Sequence, residues 1–125
     1  MPATAQKSAL QSAPQQTIKI LYAESGQPTL SAQAGEIAKA GHQVATALNR
    51  QGVQEALRRE AFDLVILGAT LSKDDRHHLP YMVKKAHALT KVLVMHAGTH
   101  HHDVDAAVDS TLSMPRILEK IAALV

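Results

Sequence analysis

Short runs of branched apolar residues, separated by segments with helical spacing, constrain the fold of this chain most. The clearest run is Asp63–Leu67, in which four apolar residues follow one another before Gly68. Ile18–Ala23 and Lys91–His96 have the same character. Continuous apolar runs of this length are typical of parallel strands that are covered on both faces. We therefore expect an α/β domain with a buried parallel sheet.

The intervening segments complete the pattern. Weaker strands are expected at His42–Ala47 and Ser110–Leu112. Five helices are expected. The first ends at Gly41 and has Leu30, Ala34, Ile37 and Ala38 on one face, and the second is capped by Asn49 and has Val53, Ala56 and Leu57 inward. The third follows a polar loop at 72–78 and has Leu79, Met82, Val83 and Ala86 inward, the fourth is a short helix over Asp103–Val108, and the last has Ile117, Leu118, Ile121, Leu124 and Val125 inward. Strands that alternate with helices in this way predict helices on both faces of the sheet.

Length and composition predict one domain preceded by a tail. A chain of 125 residues is long enough to bury a core of its own. Residues 1–16 are rich in Ala, Gln, Ser and Pro and contain no sustained apolar run, which predicts a flexible tail and no signal peptide. The globular domain is therefore expected at 17–125.

Charge and residue usage exclude several classes of function. The net charge is only +2, and the chain has one Phe, two Tyr and no Trp, so nucleic-acid binding is not favoured. Cysteine is absent, which excludes thiolate chemistry and cysteine metal sites. No segment is apolar for long enough to span a membrane. We expect a cytoplasmic protein without membrane attachment.

The order of the elements and several strand ends resemble the receiver domain of bacterial response regulators (CheY-like). The similarity covers Thr17 to Val125 and is strongest at Lys19–Leu21, Ala61–Leu67 and Leu112–Pro115. It implies a flavodoxin-like three-layer sandwich with a five-stranded parallel sheet in the order 2-1-3-4-5. It also implies a role in two-component, phosphorelay signal transduction.

The resemblance further implies where phosphotransfer chemistry would lie. In that family an acidic pair after the first strand holds Mg²⁺, and an aspartate at the end of the third strand accepts the phosphoryl group. A Ser or Thr ends the fourth strand, and a Lys precedes a proline after the fifth. In this chain the corresponding residues are, in order, Glu24 and Ser25, Gly68, His96, and Met114 before Pro115. The acceptor, the hydroxyl and the ammonium group are therefore missing.

These absences predict a pseudo-receiver that has no catalytic residue and needs no cofactor. A single carboxylate at Glu24 holds Mg²⁺ weakly, so magnesium binding is doubtful. Asp74 and Asp75 offer an alternative acceptor, but they follow Gly68 by six and seven positions in the expected polar loop, where nothing fixes their geometry. A cis bond before Pro115 is expected as a structural relic.

The histidines support an alternative function. Eight are present, and six fall in the two expected loops at the carboxyl edge of the sheet: His77, His78, His96, His100, His101 and His102. Together with Glu24, Asp103 or Asp105, such imidazoles can bind Zn²⁺ or Ni²⁺, or titrate near neutral pH. A solvated polar loop is the competing interpretation, because adjacent histidines point in different directions and no His-x-x-x-His pair lies on an expected helix.

The leading hypothesis is a phosphorylation-independent signalling module that acts through protein contacts and is not an enzyme. The resemblance implies pairing through the surface formed by residues 103–125, so a homodimer there is plausible. The expected interface residues are Val104, Val108, Leu112, Ile117 and Ile121. A metal- or pH-sensing module that uses the histidine-rich loops is the alternative.

Overall fold

The computed structural model describes residues 18–96, 103–109 and 113–125. The strands are β1 (Lys19–Glu24), β2 (Gln43–Leu48), β3 (Leu64–Leu67), β4 (Lys91–Val94) and β5 (Ala106–Ala107), and the helices are α1 (Gln27–Lys39), α2 (Asn49–Arg59), α3 (Lys73–Ala86) and α4 (Met114–Leu124). The strands form one parallel sheet in the order β2-β1-β3-β4-β5. The predicted α/β class and strand order are confirmed.

The core lies on both faces of this sheet, which explains why its central strands are continuously apolar. Along β1, Leu21 belongs to a buried cluster that also contains residues of α2 and α3. Its neighbours Ile20 and Tyr22 belong to a second cluster that contains residues of α1 and α4. Every residue of β3 is fully buried. Each strand residue therefore meets a helix layer, whichever way its side chain points.

Helix α3 begins earlier than the sequence pattern predicts. The expected polar loop at 72–78 is the start of this helix, with Ser72 as the N-cap and its hydroxyl accepting from the Asp75 N–H at 3.1 Å. Asp74 and Asp75 lie in the first turn, where carboxylates favour the positive end of the helix dipole. His77 consequently lies on a helix. Capping and charge stabilise this beginning, although it lacks an apolar stripe.

Helix α2 follows β2 without a loop, and Asn49 does not cap it. Leu48 occupies the N-cap position, and no side chain accepts a hydrogen bond there. Asn49 has a φ of 64°, so it takes the left-handed conformation that asparagine tolerates better than most residues. Val53 and Leu57 are buried as predicted.

The segment before α4 also differs from the prediction. Residues 103–108 contain β5 where a short helix was expected, so the described residues form four helices, not five. The N–H of Asp105 donates to Val92 and that of Val108 to Val94, both at 2.9 Å, and this pairing holds the segment along β4. The strand expected at Ser110–Leu112 lies outside the described residues.

Two further features concern the helices. The described residues contain no cis peptide bond, so the expected cis bond before Pro115 is wrong. Pro115 lies in the first turn of α4, where a trans proline fits because no intrahelical N–H is needed.

No helix within 18–96, 103–109 or 113–125 combines the length and apolar content needed to cross a membrane.

Candidate functional site

The carboxyl ends of the central strands meet at one edge of the sheet. The register pairs Ala23 of β1 with Leu67 of β3, and Leu67 with Val94 of β4. One residue further along, Glu24 ends β1 and Gly68 follows β3, and the N–H of Gly68 donates to the carbonyl of Ala23 at 2.8 Å. Two of the predicted site positions are therefore immediate neighbours. Ligands in sheets of this type bind beyond this edge.

The Glu24 carboxylate is buried at this edge, with 1% of the residue exposed. Its Oε1 accepts from the backbone N–H of Thr70 at 2.9 Å and from the Thr70 hydroxyl at 2.6 Å. Its Oε2 accepts from the Tyr22 hydroxyl. Among the described residues, none of the ion pairs includes Glu24. Neutral donors therefore satisfy both oxygens of a carboxylate that is almost completely removed from water.

Tyr22 supplies one of these donors from inside the domain. The residue is fully buried, and its hydroxyl also lies 3.2 Å from Oε1 of Gln33 on α1. Burial, followed by the hydrogen bond and the negative charge of Glu24, raises the pKa of Tyr22 far above its ordinary value. The phenol therefore keeps its proton and remains a donor to Glu24.

Thr70 joins the connections that follow β1 and β3. While its hydroxyl donates to Glu24, it accepts from the N–H groups of Ser25 at 2.8 Å and Gly26 at 2.9 Å. One hydroxyl thus fixes the start of the β1–α1 connection against the β3–α3 connection. The sequence analysis did not identify Thr70 or Tyr22. The available signal was a hydroxyl residue two positions after Gly68, beside a strand that ends in a carboxylate.

Gly68 leaves room for the Glu24 side chain. A Cβ placed on Gly68 would lie 1.9 Å from Cδ of Glu24 and 2.1 Å from each carboxylate oxygen. The space into which a residue at position 68 would project its side chain is therefore occupied by the Glu24 carboxylate. Although Gly68 has no side chain, the space beside it is therefore not empty.

Solved structures of response regulators share the fold of this chain. No protein-family model matches the chain, and no curated protein matches it. Among solved structures, the chemotaxis response regulator CheY4 of Vibrio cholerae matches with a TM-score of 0.73 and 12% identity, over 88% of this chain and 100% of that chain. A two-component response regulator from Clostridium difficile matches at 0.74 and 18%, over 87% and 95%. The response regulator TrrA of Thermotoga maritima, solved with Mg²⁺–BeF, matches at 0.74 and 18%, over 86% and 98%.

This chain has the receiver fold. The TM-scores establish the architecture, and the low identities leave the chemistry to be judged from the residues themselves. In this receiver fold the edge that contains Glu24 and Gly68 is the edge at which the resemblance places phosphotransfer.

The other receiver-site positions contribute little to this edge. His96 follows β4 and is exposed. Met114 is partly buried and packs against the core cluster on the α1 and α4 side, and Pro115 is exposed on the first turn of α4. Ser25 contributes its backbone N–H to Thr70. Within the described residues, Glu24 is thus the charged group at the centre of the site.

The acids proposed as alternative acceptors lie on α3. Asp75 forms an ion pair with α2, because its Oδ1 accepts from Nε of Arg50 at 2.9 Å and lies 2.9 Å from Nη2. Its N–H donates to the Ser72 hydroxyl. Asp74 is exposed in the same turn. The observed partners of Asp75 therefore give it a structural role between the two helices.

The histidines are not brought together among the described residues. His77 and His78 are exposed on α3, and the ring of His78 packs beside that of Tyr81 at 6.1 Å between centroids. His100, His101 and His102 lie outside the described residues. Across 18–96, 103–109 and 113–125, no group of three or more metal-binding side chains is arranged to hold an ion. Zinc or nickel binding stays a prediction for the remaining histidines.

The expected interface needs a correction. Val108, Ile117 and Ile121 are buried in the core cluster on the α1 and α4 side, with at most 3% exposed. They stabilise the domain and are not free to contact another protein. Val104 packs partly against the other cluster, and Leu112 lies outside the described residues. A partner of the 103–125 surface would therefore have to contact residues other than Val108, Ile117 and Ile121.

A second polar cluster lies near the start of β4. Oδ2 of Asp105 accepts from Nζ of Lys84 at 2.8 Å and from the N–H of Val92 at 2.7 Å. Partial burial acts to raise the pKa of Asp105, but the Lys84 and Val92 hydrogen bonds and the charges of Lys84 and Lys91 outweigh it, so the pKa lies below its ordinary value. This cluster joins α3 to the segment that forms β5.

Proposed function

We propose that this chain is a receiver-like module of two-component signal transduction that acts through protein contacts without being phosphorylated. The observation that supports the proposal is the position of the Glu24 carboxylate, which fills the space beside Gly68. A phosphoacceptor must present a carboxylate oxygen that an incoming phosphoryl group can reach. Position 68 has no such group, and the nearest carboxylate is enclosed.

Glu24 is unsuited to replace the missing acceptor. It is 1% exposed, and both its oxygens are already hydrogen-bonded. An attacking oxygen would have to give up these donors before it could form a bond to phosphorus. In the part of the chain that the structure describes, no ammonium group forms an ion pair with Glu24, and Met114 occupies the position where the resemblance implies a lysine.

The same contacts favour a domain that stays in one state. In a switching receiver, the phosphoryl group draws a hydroxyl and the connected loops into new positions. Here the Thr70 hydroxyl already joins Glu24 to the N–H groups of Ser25 and Gly26. A permanent carboxylate thus holds the connections after β1 and β3 together, and the module would offer its partners one unchanging surface.

Phosphorylation is tested with acetyl phosphate and Mg²⁺, followed by intact-mass measurement. TrrA of Thermotoga maritima serves as the positive control, because its structure was solved with Mg²⁺–BeF. We expect no phosphoryl adduct on this chain under conditions that label the control. A stable adduct on Glu24, Asp74 or Asp75 would contradict the proposal. Among the described residues, no cluster of metal-binding side chains supports the metal-sensing alternative.

A further inference from the structure

The outer edge of β2 has the properties of a strand-pairing surface. β2 is the terminal strand of the sheet, and among the described residues it pairs only with β1. Its residues are less covered than those of the central strands, and Leu48 at its end is 40% exposed. An edge of this kind presents unpaired backbone groups to which another strand can add.

The register identifies which backbone groups point outward. The N–H of Gln43 donates to the carbonyl of Ile18 at 3.0 Å, and Gln43 lies beside Lys19. Alternate residues of a parallel strand bond to the same neighbour, so Gln43, Ala45 and Ala47 bond to β1. The N–H and C=O groups of Val44 and Thr46 point away from the sheet, as does the N–H of Leu48, whereas the Leu48 carbonyl serves as the N-cap of α2.

This edge lacks the usual protection against strand addition. Natural edge strands carry charged side chains, prolines or bulges that keep other strands away. The sequence of β2, Gln-Val-Ala-Thr-Ala-Leu, contains no charge and no proline, and its pairing with β1 runs through all six residues without a bulge. Two copies of this edge therefore approach each other without repulsion between like charges.

We propose that β2 pairs with β2 of a second copy of this chain, antiparallel and about a two-fold axis. Two-fold symmetry makes the added strand antiparallel, and only outward-pointing residues can exchange hydrogen bonds across the junction. A register that overlaps almost the whole of β2 places the axis between Thr46 and Thr46 of the second copy. Val44 pairs with Leu48 of the second copy, and Leu48 with Val44. The two sheets become one continuous sheet.

The side chains that meet in this register are compatible. On one face the pairs are threonine with threonine and valine with leucine, which stabilise antiparallel strands. On the other face Ala45 lies opposite Ala47, so small side chains meet there. The exposed part of Leu48 gains a cross-strand apolar neighbour. This symmetry favours a second copy over an unrelated strand.

The flanking helices supply the rest of the interface. A stable dimer buries about 800 Å² on each partner, which is more than one six-residue edge provides. α1 lies beside β2 and exposes Ala32, Gly35 and Ala38, and a Cβ on Gly35 would find no atom within 4 Å. These small residues permit close approach of a second helix.

The test is analytical ultracentrifugation of the full chain over a broad concentration series, with amide hydrogen exchange on the same samples. We expect a reversible dimer, and exchange at Thr46 and Leu48 that slows as the dimer forms. The amides of Ala45 and Ala47, which bond to β1, provide the internal reference. Thr46→Pro removes an outward donor without removing a bond to β1, and should raise the dimer dissociation constant by at least about tenfold.

Thr46→Lys is the second variant, because it places two ammonium groups at the axis and should have a similar effect. The matched control is Leu89→Lys, which adds the same charge at a site that is 94% exposed in the connection before β4. Arg116→Glu on α4 changes an exposed charge on the 103–125 surface and should leave the dimer dissociation constant unchanged. A monomer at all concentrations, or a dimer that survives both Thr46 variants, would overturn the proposal, as would protected Thr46 amides in a monomer.

Discussion

Replacing Gly68 with alanine adds one methyl group at the place that the Glu24 carboxylate occupies. The backbone of Gly68 does not have a positive φ, so alanine is not excluded on conformational grounds. The added Cβ would lie 1.9 Å from Cδ of Glu24 and 2.1 Å from its oxygens, well inside van der Waals contact. The carboxylate must therefore move, and it must leave its donors on Thr70 and Tyr22.

The size of the effect follows from these hydrogen bonds. Three donors reach the carboxylate, and hydrogen bonds to charged groups contribute about 1.5–3 kcal/mol each. Because a displaced carboxylate at a strand end regains some hydration, we expect Gly68→Ala to lower the free energy of unfolding by about 3–5 kcal/mol, less than the full sum. This is a large part of the 5–15 kcal/mol that is typical of a domain.

Urea unfolding of four proteins measures this coupling: wild type, Gly68→Ala, Glu24→Ala and the double variant. Once Glu24 is alanine, the methyl group at position 68 has space, and its cost should fall below about 1 kcal/mol. Glu55→Ala on the exposed surface of α2 is the control, with an expected change within about 0.5 kcal/mol. Equal destabilisation by Gly68→Ala in both Glu24 backgrounds would refute the packing of Glu24 against Gly68.

Two further variants test other polar contacts. Thr70→Val removes a hydroxyl that donates to Glu24 and accepts two N–H groups, and should destabilise by about 2–3 kcal/mol in urea unfolding, whereas Thr70→Ser should retain most of the stability. Asp105→Asn tests the Lys84 cluster: because the folded-state pKa of Asp105 is lowered, its contribution is present above its unfolded-state pKa and is lost as the pH falls through the folded-state pKa. The variant should therefore be less stable than wild type at neutral pH and equal to it in strong acid, and a difference that is independent of pH would contradict this assignment.

The strand pattern was predictable because burial on both faces requires a continuous run of apolar residues. Each residue from Leu64 to Leu67 meets a helix layer, so none can be polar. The start of α3 was harder to predict from the sequence. Ser72 and Asp75 stabilise it by capping, and capping does not depend on apolar spacing. The two residues of β5 are too few to show a period, and hydrogen bonds to β4 define them.

The sequence indicated which site residues were missing but did not indicate what occupies their place. The absence of a side chain at Gly68 is visible in the sequence. That the Glu24 side chain fills the space depends on the register between β1 and β3 and on the rotamer of one glutamate. In the sequence Tyr22 has the apolar neighbours of any core residue. Its role as a donor can be recognised only from the contact between its hydroxyl and Glu24 in the structure. The prediction that Ile117 and Ile121 face inward was correct, and their burial excludes the interface role that the resemblance implied.

Glu24 places a buried carboxylate at the edge of the receiver fold where the resemblance places phosphotransfer. The most direct test is the ¹H–¹⁵N NMR spectrum of the protein before and after addition of Mg²⁺ and beryllofluoride, which mimics a phosphoryl group on an acceptor carboxylate. Our account predicts unchanged amide signals for Ser25, Gly68 and Thr70, because Glu24 already fills the site. Saturable shifts of these three signals, absent with Mg²⁺ alone, would show that the edge is open and would contradict the account.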